Sequence, residues 1–301
     1  MKRPDNLKDG SKIRIVAPCG RFDKSRFQQG IALLNKAGFT TVFDESIFES
    51  HRYLAGTDAR RLNELRSALN DSEADAIWVA RGGYGATRLV DQINPADVSQ
   101  AGKWLIGFSD VTALHALWGR AGVQSVHGAN ITTLADWGGE ARSELYQSLR
   151  EPFQQEFAGK LALGESDASG RLVGGNLAVL TALLGTGQLP SFENTVVLLE
   201  DIGERPYKLD RMLTQHRQAK TFEGAVGFAI GQLSACEPGE AEDYRAADVI
   251  AENLTHLGVP VLTGLPLGHD GSSRAVVLGA KVHIEAATAT LRVDPDSQAV
   301  V

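Results

Sequence analysis

The sequence is poor in cysteine and has no long apolar run. Only two cysteines, Cys19 and Cys236, occur among 301 residues, which excludes a disulfide scaffold and suits a reducing compartment. No segment approaches the roughly 20 apolar residues that a transmembrane helix requires. The first apolar run, residues 13–17, is too short for the core of a signal peptide. These observations predict a cytoplasmic protein with no membrane partner.

Dense runs of Lys and Arg are also missing. Lys and Arg together number 30 against 37 Asp and Glu, which gives a formal net charge of −7 at pH 7. A nucleic-acid-binding surface needs a basic footprint to neutralise phosphates, so we expect no nucleic-acid partner. The chain has no H-E-x-x-H, C-x-x-C, P-loop or G-x-G-x-x-G motif, and we therefore expect neither a metal nor a nucleotide cofactor.

Enough apolar material is present for a folded core, since apolar residues make up 43% of the chain. In the first half, short apolar runs alternate with segments of helical period. The runs that predict strands are residues 13–17, 76–80 and 104–108. The segments that predict helices are residues 25–37, 58–69 and 109–118. This alternation predicts a doubly wound parallel sheet with helices on both faces.

A shift in composition near residue 160 predicts two domains. We place an N-terminal domain at residues 1–158, a linker at 159–172 and a C-terminal domain at 173–301. The second half also alternates strands and helices. Two late apolar runs, 275–278 and 282–286, predict a β-hairpin. The second domain is therefore expected to be α/β with a mixed sheet.

Ser109 stands where a predicted strand runs directly into a predicted helix, in the segment Gly107-Phe108-Ser109-Asp110. A sharp turn there would project the hydroxyl above the sheet edge, at a helix N-terminus that favours an oxyanion. The full G-x-S-x-G pattern is absent, because Val111 occupies the second glycine position. On this segment alone, the more economical interpretation is that Ser109 caps the helix.

A glycine-rich loop, Arg81-Gly82-Gly83-Tyr84-Gly85, follows the predicted strand at 76–80. Such loops let backbone N–H groups approach an anion closely. The loop could complete an oxyanion hole or hold a phosphate, and an ordinary strand-to-helix turn explains it equally well.

Acidic and imidazole side chains follow strands in the second half. Glu200 and Asp201 end an apolar run, and since neighbouring strand residues point to opposite faces, only one can face a given site. A solvated strand end is the alternative. His269 lies in a loop rich in Gly and Pro, a common place for a catalytic base. His127 is its main competitor, and His115 is expected to face away from Ser109.

Taken together, these segments resemble the serine-type LD-carboxypeptidases, or muramoyltetrapeptide carboxypeptidases, a family that includes the microcin C7 self-immunity peptidases. The resemblance covers nearly the whole chain in the order of the family. The segments that carry it are residues 13–18, 80–85, 107–114, 127–128, 174–177, 199–201, 206–213 and 268–269.

The resemblance implies two α/β domains with the active site in the cleft between them. It assigns Ser109 as nucleophile, His269 as base and Glu200 as the acidic partner of a triad. The backbone N–H groups of Gly83 and Asp110 match the oxyanion hole. The implied reaction is hydrolysis of the LD-peptide bond that releases terminal D-Ala from murein tetrapeptides, without metal or cofactor, by a homodimer.

A muropeptide carries carboxylates, so Arg81 and Arg274 are candidate substrate-binding residues, with surface ion pairs as the alternative for both. Three other functions remain open. A hydrolase of the same fold could cleave another amide, such as a peptidyl or aminoacyl adenylate. A non-enzymatic α/β protein could hold an anion on the same N–H groups. A nucleotide-dependent enzyme is the third, and the missing fingerprints count against it.

Overall fold

The computed structural model describes residues 1–239 and 244–295. The last six residues of the predicted C-terminal domain, 296–301, lie outside these ranges. Within the described residues, no helix is long and apolar enough to cross a membrane.

Strands and helices alternate along the first half of the chain, as its sequence pattern predicts. The first strands are β1 Lys12–Val16, β2 Thr40–Val42, β3 Ala76–Val79, β4 Trp104–Gly107 and β5 Ser125–His127. The first helices are α1 Lys24–Lys36, α2 Asp58–Asn70, α3 Pro95–Ala101, α4 Thr112–Arg120 and α5 Gly139–Arg150. Their N-termini follow local signals: Asp23 accepts a hydrogen bond from the Arg26 N–H before α1, and Thr57 accepts one from the Arg60 N–H before α2.

The second half contains more strands than helices. Its strands are β6 Gln155–Ala158, β7 Lys160–Leu163, β8 Ala168–Asn176, β9 Thr195–Ile202, β10 Gly227–Ser234, β11 Val261–Thr263, β12 Val276–Leu278, β13 Lys281–Glu285 and β14 Thr290–Val293. Its helices are α6 Leu177–Ala182, α7 Pro206–Gln218 and α8 Ala246–Leu254.

The strands form two sheets, and the expected two-domain α/β fold is confirmed. The first sheet has the order β12-β5-β4-β3-β1-β2, in which β1 to β5 are parallel. The second has the order β6-β14-β13-β8-β9-β10-β11-β7, with β8 to β11 parallel and the flanking strands antiparallel. Strands β3 and β4 are entirely buried, as their continuous apolar sequences suggest for the centre of a parallel sheet.

The late hairpin predicted at 275–278 and 282–286 is wrong. Strand β12 pairs antiparallel with β5 in the first sheet, whereas β13 pairs with β8 and β14 in the second. The turn between β12 and β13 therefore carries the chain from one sheet to the other. An apolar alternating pattern identifies a strand, but its partner is chosen by contacts remote in sequence.

The segment 159–172, predicted as a linker, also differs from expectation. It contains β7 and the beginning of β8, and β6 at residues 155–158 already belongs to the second sheet. Its mixed composition reflects the alternation of partly buried and exposed residues along β7, the edge strand of the second sheet, and along the beginning of β8.

Candidate active site

Ser109 lies at a strained turn between β4 and α4. Its φ angle is +69°, in the left-handed region that residues other than glycine rarely adopt. The side chain of Asn130 holds the preceding residue: Asn130 Oδ1 accepts from the Phe108 N–H at 3.3 Å, and Nδ2 donates to the Phe108 carbonyl at 3.4 Å. Ser109 begins a 3₁₀ turn that leads into α4, and no side chain caps either helical segment. The structure therefore does not support the helix-cap interpretation.

The glycine loop at residues 81–85 packs directly on Ser109. A Cβ atom at Gly82 would lie 2.9 Å from Ser109 Cβ and 3.2 Å from its Oγ, so only glycine fits without displacement. Gly83 has a φ of +99°, and its N–H finds no hydrogen-bond acceptor in the part of the chain that the structure describes. The Asp110 N–H lies in the first helical turn, where backbone donors lack intrahelical acceptors.

The side chain of Asp110 has a different task from its N–H. Its Oδ2 atom accepts from the Ala86 N–H at 2.8 Å, which ties the end of the glycine loop to the turn that carries Ser109. Burial raises the pKa of this carboxyl group. The two segments that would supply oxyanion donors are thus fastened to each other.

His269 and Glu200 form a hydrogen-bonded pair. Glu200 lies near the end of β9 and is fully buried, and its Oε2 atom is 2.6 Å from His269 Nδ1. Burial would raise the pKa of Glu200, but the neighbouring imidazoles of His127 and His269 outweigh it and lower that pKa to about 2. An ionised Glu200 favours the tautomer with the proton on His269 Nδ1. His269 Nε2, which is buried and has no partner among the described residues, is then free to accept a proton.

Asp201 faces the other side of β9 and plays a structural part. It accepts hydrogen bonds from Asn176 Nδ2 at 3.1 Å and from the Ala178 N–H at 2.9 Å, at the start of α6. Burial raises the pKa of Asp201 to about 6. The adjacent carboxylates of Glu200 and Asp201 therefore occupy separate environments, as strand alternation requires.

Ser109 and His269 line one cavity of about 550 Å³. Most of its wall comes from the N-terminal half, including Gly82 and Gly83, while Ile202 and His269 come from the C-terminal half. The cavity thus lies between the two domains. Among the described residues, no cluster of three or more His, Cys, Asp or Glu could hold a metal ion.

The two candidate substrate-binding arginines lie in different places. Arg81 lines the cavity, and its Nη1 donates to the Arg21 carbonyl. Arg274 does not line it; its guanidinium makes two hydrogen bonds to Glu144, at 2.7 and 2.9 Å, and a third to the Glu156 carbonyl at 2.9 Å. Arg274 therefore joins α5 to the loop after His269, which fits the ion-pair alternative.

Arg26 is a cavity residue that the sequence analysis missed. It lines the same wall as Ser109, donates from Nε to the Thr132 carbonyl at 3.0 Å and pairs with Asp136. A signal for it exists in the sequence, because it stands in the first turn of α1, directly after β1. The carboxyl ends of parallel strands share one sheet edge, so the turns after β1 and β4 meet there.

The remaining histidines near the site are buried in the N-terminal domain. His115 bonds through Nε2 to the Gly107 carbonyl at 2.9 Å and through Nδ1 to Ser125 Oγ at 2.8 Å. Burial lowers the pKa of His115 to about 3, so it is a neutral structural residue. His127 ends β5 opposite Gly107, and its Nε2 atom is 3.8 Å from Glu200 Oε1. His127 is therefore a close neighbour of Glu200, the acidic member of the expected triad.

Comparison with known proteins finds matches over both halves of the chain. Residues 13–128 match the LD-carboxypeptidase N-terminal domain, and residues 169–284 match the LD-carboxypeptidase C-terminal domain. A Synechocystis protein whose carboxypeptidase name is itself provisional is 35% identical over 96% of this chain and 96% of its own. The chain belongs to the LD-carboxypeptidase family.

Other LD-carboxypeptidase relatives have more specific names. The murein tetrapeptide carboxypeptidase of Pseudomonas aeruginosa is 27% identical, over 91% of this chain and 93% of its own. The crystal structure of muramoyltetrapeptide carboxypeptidase from Oxalobacter formigenes is 26% identical, with a TM-score of 0.85 over 94% of this chain and 98% of its own. The microcin C7 self-immunity protein MccF shares the fold, with a TM-score of 0.87 at 18% identity over 97% and 98% of the two chains.

Proposed function

We propose that this protein is a serine-type LD-carboxypeptidase that releases the terminal D-Ala from murein tetrapeptides. The observation that carries the proposal is the pairing of a buried, ionised Glu200 with His269 at the cavity that also holds the strained Ser109. A buried carboxylate, an oriented imidazole and a hydroxyl that lines a cavity at a tight turn are the parts that acyl transfer needs. The names of the relatives supply the substrate class.

In the proposed reaction, His269 Nε2 takes the proton of Ser109 as Oγ attacks the scissile carbonyl carbon. Glu200 stays ionised and stabilises the imidazolium through Nδ1–H. The N–H groups of Gly83 and Asp110 would stabilise the oxyanion, each by about 3 kcal/mol if a comparable donor is a guide. His269 then protonates the departing D-Ala amine, and water, activated by the same imidazole, releases the acyl group from Ser109.

Recognition of a carboxypeptidase substrate requires cations near the reacting bond. Arg26 and Arg81 line the cavity with Ser109, and we assign to them the carboxylates of the peptide. An arginine guanidinium suits this task because its planar fork matches a carboxylate. Arg274 is left out of this assignment because it does not line the cavity.

The decisive experiment follows D-Ala release from UDP-N-acetylmuramoyl tetrapeptide and from the free tetrapeptide by mass spectrometry. Wild type is expected to release D-Ala, and Ser109→Ala to lose at least about a thousandfold in rate. The matched control is Ser99→Ala, an exposed serine of α3, which is expected to keep full activity. No release by wild type from either peptide would contradict the proposal.

A second candidate is a hydrolase of the same fold that cleaves a peptidyl or aminoacyl adenylate. Phe22 lines the cavity, and its aromatic ring is a surface on which a nucleobase could stack. The same assay with an aminoacyl sulfamoyl adenosine separates the two. Cleavage of that compound, without release of D-Ala from tetrapeptides, would favour the adenylate-type substrate.

We also propose that the protein acts in the cytoplasm as a homodimer. A cytoplasmic enzyme would meet cell-wall tetrapeptides that have been brought back into the cell, which suits recycling. Cell fractionation and analytical ultracentrifugation of the purified protein test these two points separately from the chemistry.

A further inference from the structure

Beside the Glu200–His269 pair, two buried side chains leave three polar atoms without hydrogen-bond partners among the described residues. They are both ring nitrogens of His127 and the Oε1 atom of Glu200, none of which has a hydrogen-bond partner within residues 1–239 and 244–295. His127 is 1% exposed and Glu200 is fully buried. Buried polar groups are normally satisfied, so an imidazole and a carboxylate left open 3.8 Å apart form an unusual arrangement.

The contact joins the two domains. His127 ends β5, where it lies opposite Gly107 of the strand that leads to Ser109. Glu200 belongs to β9 of the second sheet. His127 therefore links the domain that carries Ser109 to the carboxylate that holds His269.

Other buried histidines of this protein are bonded in an ordinary way. Both nitrogens of His115 are occupied. His216 has one open nitrogen, Nδ1, among the described residues, but its Nε2 lies 3.1 Å from Thr181 Oγ1 and its ring stacks on Phe222 with 4.6 Å between centroids. A histidine kept only for packing would resemble these two. His127 differs because both of its ring nitrogens are open among the described residues and its Nε2 lies 3.8 Å from the open oxygen of a catalytic candidate.

We propose that His127 is a positioning residue: its imidazole directs Nε2–H at Glu200 Oε1, so that Oε2 is held for His269. This inference rests on the proposed function and adds a residue to it. A shift of less than 1 Å in either side chain brings the 3.8 Å separation within hydrogen-bond distance. Glu200 would then accept one N–H on each oxygen, and its rotation about the carboxylate axis would be blocked.

Such a donor also influences the base. A hydrogen bond to Glu200 withdraws electron density from the carboxylate and weakens its hold on the proton at His269 Nδ1. Without the donor, Glu200 would hold that proton more firmly, and the rate of D-Ala release should begin to fall at a higher pH as the solution is acidified.

The other ionisable groups around the pair do not account for this effect. His115 has its ring centroid 6.3 Å from that of His127, and burial keeps it neutral. Asp201 faces away, toward Asn176 and α6. Next to His269 in the chain, Asp270 is exposed and bonded to Gln232 and Ser272. The charged side chains that line the cavity with His269 are Asp23, which accepts a hydrogen bond from the Arg26 N–H, Arg26 and Arg81.

The test compares two substitutions of similar size, His127→Gln and His127→Leu. The glutamine amide can present a donor to Glu200 and the leucine cannot. The pH profile of kcat/KM for D-Ala release reports the pKa of the base in the free enzyme. At low pH this profile rises with pH, and in His127→Leu we expect that rising part, the acidic limb, to move to higher pH by about half to one unit. The maximum value of kcat/KM should fall about tenfold in the same variant. In His127→Gln the limb should stay at the wild-type position.

The control is His216→Leu, a buried histidine of α7 outside the cavity, which should not move the limb. An NMR titration of the His269 imidazole gives the same pKa in resting protein without any substrate. If His127→Leu does not fold, His127→Met takes its place. Identical profiles for the glutamine variant and the apolar variant would overturn the inference while the proposed function stands. Absence of D-Ala release by wild type would instead refute the proposed function, and the titration alone would then decide the role of His127.

Discussion

At the scale of single residues, the most informative feature is the backbone of Ser109. A residue with a side chain pays roughly 1–2 kcal/mol to adopt a left-handed conformation, and Ser109 adopts it at a φ of +69°. The surrounding structure enforces this conformation through the Asn130 side chain on Phe108 and the close approach of Gly82. Strain that is held in this way is common at reacting groups.

The strain predicts an unusual order of stabilities at position 109. The free energy of unfolding of Ser109→Gly should be about 1 kcal/mol higher than that of Ser109→Ala, so the glycine variant is the more stable of the two. Both variants lose the hydroxyl, but only glycine adopts a positive φ freely. Both should be inactive. The measurement is urea unfolding followed by circular dichroism.

The control makes the same chemical change in a helix. Ala32→Gly, at an exposed position of α1, should lower the free energy of unfolding by about 1 kcal/mol relative to alanine. Glycine in place of alanine is thus expected to raise the free energy of unfolding at position 109 and to lower it at position 32. Equal stability of Ser109→Ala and Ser109→Gly would show that the turn is not strained.

Residue patterns alone could predict only part of this site. Ser109 was visible as a serine between a strand and a helix, but the missing second glycine concealed its positive φ. The pairing of Glu200 with His269 joins distant segments, so only the resemblance to a family suggested it. The ion pair of Arg274 with Glu144 cannot be predicted from the sequence, since no local pattern reveals a partner 130 residues away in the chain.

At the scale of elements, the glycine loop and the turn at Ser109 act as one unit. Gly82 lies against Ser109, and its carbonyl accepts a hydrogen bond from the Gly20 N–H at 3.0 Å. The turns after β1, β3 and β4 are therefore layered on one another at the carboxyl edge of the first sheet. A change in the glycine loop after β3 should therefore displace the Ser109 hydroxyl.

Gly82→Ala tests this layering. The added methyl group would stand 2.9 Å from Ser109 Cβ, so Ser109 or the loop must move, at a cost of about 1–3 kcal/mol in stability. We expect kcat/KM for D-Ala release to fall at least a hundredfold, because a displacement of 1 Å at a reacting group has effects of that size. The measurements are steady-state kinetics and thermal unfolding of the same preparation.

The matched control is Gly119→Ala. In α4 the nearest atom to a new Cβ would be Pro190 Cβ at 3.6 Å, an ordinary contact. Alanine should there raise the stability by up to about 1 kcal/mol through helix propensity and leave the kinetics unchanged. Full activity of Gly82→Ala would contradict the close packing of loop and nucleophile.

Elements themselves were predicted well where a local pattern defines them. The helices at α1 and α2 and the strands at β3 and β4 lie within a residue or two of their expected bounds, because amphipathic period and apolar runs are properties of the segment alone. The pairing of β12 with β5 could not be predicted, because a short apolar strand can pair with the edge of either sheet. The strands inside 159–172 were missed for a related reason: partly exposed strands carry a weak signal.

At the scale of the whole molecule, the two domains share a core. One continuous apolar cluster contains Ile106 and Val126 of the first sheet together with Leu198 and Ile284 of the second. Strand β12 also donates C-terminal residues to the N-terminal sheet. The two domains have separate sheets, but their apolar side chains pack in one cluster. We therefore expect both domains to unfold together in one cooperative transition.

The positions of the tryptophans make this cooperativity measurable. All four belong to the N-terminal half: Trp78, Trp104, Trp118 and Trp137. Their fluorescence therefore reports unfolding of that half, whereas far-ultraviolet circular dichroism reports both halves. We expect the two signals to change at one common midpoint, since coincident probes are the mark of an all-or-none transition.

Leu198→Ala gives the sharper form of the same prediction. Leu198 is fully buried in β9 of the second sheet, and its truncation should cost about 2–5 kcal/mol. Because the core is shared, the midpoint of tryptophan fluorescence should fall by about 3–8 °C, although no tryptophan lies in that sheet. Thr288→Ala, at an exposed position in the turn before β14, should leave the midpoint unchanged. The fluorescence midpoint could instead stay at the wild-type value while the dichroism midpoint falls. That result would mean that the two domains unfold independently. Ser109 would then be held less firmly against the Glu200–His269 pair than the packing of the domains indicates.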